Sequence, residues 1–253
     1  LLGAYRLYEK WLRDQVKRGK IPEHVAVVLD GNRRWASEKS LPSLEGHRQG
    51  VKIGEQFLDW CLSLGINTVT IYVFSTENFQ RPKDQVKSIL QLVEDQIRMF
   101  KHDSRLRENR VRFKALGKLD LLPESLQEEL REIEKETEKY NQHYLNIAIA
   151  YGGRTEIIDA AKTIAEEVRR KKLEVDEISE TLFGKYLYTA HLPNPYPDLI
   201  IRTSGEERLS GFLLWQSAYS ELSFLDVYWP DFRKIDLLRS IRTYQRRMRR
   251  FGR

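Results

Sequence analysis

His24-Val25-Ala26-Val27-Val28-Leu29-Asp30-Gly31-Asn32-Arg33-Arg34-Trp35-Ala36 is the stretch on which the fold turns. The aliphatic run Val25 to Leu29 leaves no polar face, the pattern of a strand buried on both sides in a parallel sheet. It is far shorter than the ~20 residues needed to span a bilayer. It ends in a carboxylate, a glycine turn and two guanidinium groups. Working outward from this strand, His24–Asp30, further β-rich runs occur at Asn67–Phe74, Val111–Gly117, Tyr144–Tyr151, Asp198–Thr203 and Leu222–Tyr228. Helical periodicity fills the gaps near residues 46–64, 84–102, 124–140, 155–171 and 235–250. Strands alternating with helices read as βαβ units. The expected fold is therefore α/β: a single domain with a mostly parallel central sheet flanked by helices. There is no internal repeat and no Pro/Gly/Ser-rich linker, and residues 1–20 read as an amphipathic N-terminal segment ahead of one domain over 21–253.

Composition narrows the function classes. At 253 residues, the chain should bury roughly 70–75% of the surface that it exposes when unfolded. The single cysteine, Cys61, excludes a disulfide framework and Cys-rich metal sites. With 41% apolar and 32% charged residues and a mean hydropathy of −0.56, it reads as globular, neither disordered nor membrane-spanning. No signal peptide is visible, and the lack of an initial Met leaves room for a trimmed segment before Leu1. Lys and Arg (43) exceed Asp and Glu (37), giving a formal charge of +6. That surplus suits an anionic partner: a phosphorylated substrate, a nucleic acid or a membrane surface.

The helix over 46–64 has an unusual profile. At about 100° per residue, Lys52, Glu55, Gln56, Asp59 and Ser63 occupy a polar stripe about 100° wide, and the opposing apolar arc spans about 200°. Such an arc fits either deep burial or a helix that touches the sheet on one flank and borders an apolar cleft on the other. The next helix carries a stripe at Val86, Ile89, Leu90, Val93, Ile97 and Phe100, widened by Leu92 and Met99.

The candidate chemistry lies at strand ends, because the carboxyl ends of parallel strands open onto the ligand crevice. After the first strand come Asp30, Gly31, Asn32, Arg33 and Arg34. Backbone N–H groups of such a turn meet phosphate oxygens, arginines grip them, and a lone carboxylate suits Mg²⁺. The bland alternative is an Asp capping the next helix with solvated arginines. The second strand runs into Ser75-Thr76-Glu77-Asn78-Phe79-Gln80-Arg81, and another runs into Arg202-Thr203-Ser204-Gly205-Glu206-Glu207-Arg208-Leu209-Ser210. Three strand ends converging on arginine and carboxylate favour a pocket for more than one phosphate group. His47, at the start of the wide-arc helix, could assist a bound anion. Tyr151-Gly152-Gly153-Arg154 reads as glycines for close packing, outside the site. The dinucleotide-binding GxGxxG, the P-loop and HExxH are all absent.

From about Ile21 to the C-terminus the chain resembles the cis-prenyltransferases, which include undecaprenyl and dehydrodolichyl diphosphate synthases. The resemblance rests on HVAVVLDGNRRWA, GHRQG, TIYVFSTENFQRP, LNIAIAYGGR and PDLIIRTSGEERLSGFLLWQSAYSELSFLDVYWPDF, in that order. The DDxxD pair of the all-helical trans-synthases is missing. The resemblance implies a Mg²⁺-dependent transferase that condenses isopentenyl diphosphate repeatedly onto an allylic diphosphate primer. Its product would be a long-chain polyprenyl diphosphate, the precursor of a lipid carrier for glycan assembly. It also implies a homodimer, a cytoplasmic location with peripheral membrane contact, and no nucleic-acid partner. Carried over by position, Asp30 serves the metal-bound allylic diphosphate, with Gly31, Asn32, Arg33, Arg34 and His47 around it and Trp35 beside it. Ser75, Thr76, Glu77, Phe79 and Arg81 form a second substrate loop, and Asn78 holds the proton-acceptor position. Arg202, Arg208, Leu209 and Ser210 hold isopentenyl diphosphate, and Glu221 is a metal-site carboxylate. Arg250 and Gly252 match a terminal motif that reaches the neighbouring subunit's site. Two positions depart from the family's pattern: Glu207 stands where many members have a His ligand, and Ser43 where many have an Arg. A non-catalytic partner subunit of the same fold should lack the Asp30, Asn78 and Arg202 groups, which are present. A nucleic-acid binder would need aromatic platforms among the C-terminal arginines, and none is apparent.

Overall fold

The computed structural model describes residues 2–248. Helix α1 (Leu2–Lys17) leads into β1 (His24–Val28); α2 (Asn32–Glu38) and α3 (Ser43–Leu64) then connect to β2 (Thr68–Ser75). Next come α4 (Lys83–Lys101), α5 (Ser104–Glu108), β3 (Val111–Leu116), α6 (Glu124–Thr137), β4 (His143–Tyr151) and α7 (Gly153–Arg169). The chain closes with α8 (Glu180–Gly184), β5 (Leu199–Arg202), β6 (Glu221–Phe224) and α9 (Lys234–Met248). The strands form one six-stranded sheet in the order β3-β4-β2-β1-β5-β6, and every adjacent pair is parallel. The α/β expectation therefore holds, with the sheet wholly parallel.

β1 lies inside the sheet, and all five of its residues are buried. Val25 and Val27 join the larger apolar core with Ile71, Leu145, Ile147 and Ile201. Ala26 and Val28 face the other way, with Tyr72, Ala148 and Ile200. This is why the run reads as continuously apolar: alternate side chains meet separate cores. Helices α3, α4, α6 and α9 supply the larger core, and α1 packs Leu12 and Val16 into it. On the opposite face α7 and the segments around Tyr188 and Phe212 close over the sheet.

Local chemistry sets several boundaries. α3 stops at Gly65, whose φ of 78° is left-handed and whose N–H reaches Leu62 O at 3.0 Å. β1 ends before Asp30 because the Asp30 N–H turns back to Val28 O at 3.0 Å. The last strand stops at Phe224, short of Tyr228, because Ser204 N–H takes Val227 O and Gly205 N–H takes Leu225 O in an irregular pairing. α2 is a helix that the periodicity did not anticipate. Its seven residues are too few to show a period.

Candidate active site

At the carboxyl edge of the sheet, a cavity of about 1310 Å³ opens between the ends of β1, β2, β4 and β5 and runs down between the sheet, α3 and α4. Its mouth is polar and its depth apolar.

Gly31 makes the turn out of β1. Its φ is 97°, and a Cβ there would lie 2.6 Å from Tyr228 Cδ1, so only glycine fits. The turn points the Gly31 N–H at Asp30 Oδ1 (2.7 Å). Arg202 donates to Asp30 Oδ2 at 2.8 Å, and Arg34 approaches Oδ1 at 3.5 Å. Burial pushes the Asp30 carboxyl up, but Arg202, the Gly31 N–H and Arg34 together outweigh it and hold it below the usual carboxylate range. Asp30 is thus kept ionised at the mouth.

Arg202 ties the two halves of the site together. It is 5% exposed and also donates to Arg208 O and to Ser210 Oγ (2.8 Å). Arg34 donates to Ser204 Oγ (2.6 Å) and Glu206 Oε1 (3.2 Å), and Arg208 pairs with Glu206 Oε2 (2.6 Å). Ser204 and Ser210 hold φ values of 77° and 47°, unusual for residues with a side chain. Such backbone persists where surrounding bonds over-determine it.

His47 reaches the site because α3 packs against the β1 turn at two glycines. A Cβ at Gly46 would lie 2.0 Å from Asn32 O, and one at Gly50 would lie 2.3 Å from Asn32 Oδ1. Burial, then the positive charges of Arg81 and Arg33, lower the His47 pKa to about 4. The imidazole is neutral and surrounded by cations. Bound anion would offset that repulsion, so inorganic diphosphate should raise the His47 pKa towards the ordinary 6.5. Titration of the His47 imidazole by NMR, with and without diphosphate, checks this; overlapping curves would detach His47 from the anion site.

On the second strand end, Asn78 Oδ1 accepts from the Ser75 N–H at 3.2 Å, closing a short 3₁₀ turn over Thr76–Gln80. Asn78 also lines the cavity, and its amide NH₂ makes no hydrogen bond among the described residues that would compete for a ligand oxygen. Four buried polar atoms of cavity-lining residues have no partner among the described residues: Asn32 Oδ1, His47 Nε2, Gln85 Oε1 and Arg202 Nε. An unmet buried polar atom costs about 1–3 kcal/mol, so the grouping at one mouth marks where a polar ligand belongs.

Thirteen residues singled out from the sequence line this one cavity: Asp30, Gly31, Asn32, Arg33, Arg34, His47, Ser75, Glu77, Asn78, Arg81, Arg202, Arg208 and Ser210. Four others do not line it. Phe79 packs edge-on against Phe74 at 5.0 Å, and Lys39 sits 4.3 Å over the Trp35 ring. Leu209 packs against the smaller core, and Thr76 abuts Gly152. The structure does not bring Glu221 to Asp30 within the chain. Glu221 pairs with Leu199 at the amino end of β5. Asp30 lies beyond the carboxyl end of β1, about 16 Å away along the strand direction alone. Glu221 instead accepts from Arg247 at 3.0 Å. Arg250 and Gly252 lie outside the described residues. Glu206 lines the cavity whereas Glu207 does not, and Ser43 lines it too. Gly152, Gly153 and Arg154, read from the sequence as lying outside the site, also border the mouth, together with Thr155. The packing role is real, since a Cβ at Gly153 would meet Gly211 O at 2.4 Å. The strand-end rule that found the other loops would have included this one.

Among the described residues no three His, Cys, Asp or Glu side chains gather to cage a metal. One ionised carboxylate beside a phosphate site nevertheless fits Mg²⁺, which binds through one or two carboxylates plus substrate phosphates.

Residues 28–252 match the sequence model of the undecaprenyl diphosphate synthase family. The chain is 51% identical over all its 253 residues to the tritrans,polycis-undecaprenyl-diphosphate synthase (geranylgeranyl-diphosphate specific) of Methanopyrus kandleri, covering 93% of that protein. It is 52% identical over 250 residues, 99% of its length, to the enzyme of the same name from Pyrococcus abyssi, covering 94% of it. Among solved structures, lavandulyl diphosphate synthase from Lavandula x intermedia, in complex with dimethylallyl diphosphate, superposes with a TM-score of 0.86 at 35% identity. That match covers 92% of this chain and 97% of the other. With its wholly parallel sheet, its cationic cavity mouth and these relatives, the chain belongs to the cis-prenyltransferase family of undecaprenyl diphosphate synthases.

Proposed function

We propose that this prenyltransferase condenses isopentenyl diphosphate repeatedly onto an allylic diphosphate primer, forming a cis double bond at each addition. The observation that carries this reading is the cavity's two-part character: a mouth lined by Arg33, Arg34, Arg81, Arg202 and Arg208 above an apolar channel. The relatives' names point to geranylgeranyl diphosphate as the primer and an undecaprenyl chain as the product; we read that product as a precursor of the lipid carriers used in glycan assembly.

In this reading Arg33, Arg34 and His47 receive the primer's diphosphate, and Arg202, Arg208 and Ser210 receive that of isopentenyl diphosphate. Asp30, with phosphate oxygens, would hold Mg²⁺. When bound, the ion supplies positive charge against the departing diphosphate. Two anions that repel in water are held side by side by guanidinium groups, which converts an encounter into a positioned reaction. Arg33 and Arg81 add fixed positive charge where the leaving group develops negative charge. Asn78, which lines the cavity, positions a substrate oxygen, and the departing diphosphate takes the proton.

The active form is read as a homodimer acting at the cytoplasmic face of a membrane. Contact with anionic lipid is favoured by α1, where Leu7 (71%) and Trp11 (45%) are exposed and Arg242 stands 4.9 Å over the Trp11 ring. No described helix is long and apolar enough to cross a membrane.

Incubation with labelled isopentenyl diphosphate and allylic primers of different lengths, followed by chromatography, tests the reading. A ladder of polyprenyl products is expected, and no incorporation with any primer would overturn it. Val73 and Leu92 line the channel. Trp at either position should shorten the products while the first condensation persists, read from the same chromatogram. An unaltered ladder in both variants would make these residues plain core.

A further inference from the structure

Below its polar mouth the channel is walled by apolar side chains from α3 and α4, including Val51, Leu58, Leu92 and Phe100. Two residues among those described break that pattern: Glu55 on α3 and Gln96 on α4. Gln96 Nε2 donates to Glu55 Oε1 at 2.8 Å, so one hydrogen bond spans the two helices. By angle alone Glu55 belongs to α3's solvated stripe, yet it is half-buried and lines the channel. It lies eight residues below His47, about 12 Å along the helix. It also lines a second, apolar cavity of about 40 Å³ that continues downward and shares Leu58, Phe100 and Leu145 with the first. The pair thus stands where one space gives way to the other.

Size gives this position a consequence. The second cavity, beyond Glu55, offers only about 40 Å³. A growing chain that reaches the level of Glu55 and Gln96 must therefore separate α3 from α4 or stop. A hydrogen bond between half-buried groups resists that separation, and passing alkyl carbons offer its partners nothing in exchange.

We infer that the Glu55–Gln96 hydrogen bond is a clasp across the α3–α4 seam, and that it helps set how far the alkyl chain grows before release. The inference rests on the polymerising reading above and names two residues that determine its product. Gln96→Ala and Glu55→Ala each remove the clasp, whereas Glu55→Gln keeps an acceptor at the same place. The readout is the distribution of labelled chain lengths within each reaction, so a change in overall rate does not enter. Both Ala variants should move the distribution to longer chains, with the ratio of continued growth to release at the parental end point rising about fivefold, the worth of one net hydrogen bond. Glu55→Gln should retain the parental distribution. Parental ladders in both Ala variants would overturn the clasp, as would a Glu55→Gln ladder as long as that of Glu55→Ala. The two Ala positions are on different helices, so if one variant fails to fold the other decides. A parent enzyme that makes no ladder would refute the polymerising reading instead, which keeps the two failures apart.

Discussion

Asp30→Asn is expected to lower turnover by on the order of 10³-fold or more while leaving the fold intact. Asp30 is the ionised carboxylate at the mouth, with its side chain 28% exposed, at a strand end rather than in the core. Asn preserves the shape but keeps one acceptor oxygen, so only one of the two donors, the Gly31 N–H at Oδ1 or Arg202 at Oδ2, retains its acceptor. It loses the negative charge that would hold the metal and that offsets the surrounding guanidinium groups. Asp30→Ala should lose as much activity and also lower the melting temperature, because it strips the buried Arg202 of its anionic partner. Comparing the two variants by steady-state kinetics and thermal unfolding separates chemistry from stability. Near-parental turnover of Asp30→Asn under excess Mg²⁺ would remove Asp30 from the reaction.

Arg202→Ala is expected to cost on the order of 10²–10³-fold in kcat/KM for isopentenyl diphosphate. Arg202 is buried, and its bonds to Asp30, Arg208 O and Ser210 Oγ hold the loop over residues 204–210 in shape. In the proposed reading, removing it withdraws a phosphate donor, and it releases the loop that presents Arg208. Lys should rescue little, because one ammonium on a flexible stem cannot replace a planar fork that serves three acceptors. Arg208→Ala should cost less, about tenfold, since that side chain is 64% exposed and screened by solvent. Kinetics with each substrate varied in turn check the ranking. Equal losses for Arg202→Ala and Arg208→Ala would mean that Arg202 acts only as a direct ligand and not through the loop.

The strand from Val25 to Leu29 and the turn after it were legible because their signals are local. A residue buried on both faces of a sheet has no polar choice, and a turn that leaves no room for a Cβ must be glycine. The carboxyl-edge rule then gathered Asp30, Asn78 and Arg202 at one crevice without coordinates, because a parallel sheet places all its strand ends on the same side. The wide apolar arc of α3 left deep burial and a flank on an apolar cleft both open. In the structure Phe57 and Cys61 meet the core while Val51 and Leu58 meet the channel.

Other features depended on distances between segments far apart in the chain. Glu206 rather than Glu207 faces the cavity because the positive φ values at Ser204, Gly205 and Ser210 steer the loop, and such angles leave no pattern in adjacent residue types. Glu221 begins its strand whereas Asp30 follows the end of its own, so one parallel sheet puts them at opposite edges. Glu55 looks solvated on its own helix, and only the approach of α4 makes it part of a channel wall. Periodicity and strand-end chemistry were thus enough for the α/β fold and for most of the mouth of the site. The depth of the channel, the partner of each charged group and the contact across the α3–α4 seam were decided by tertiary packing, because each depends on which residue lies opposite in space.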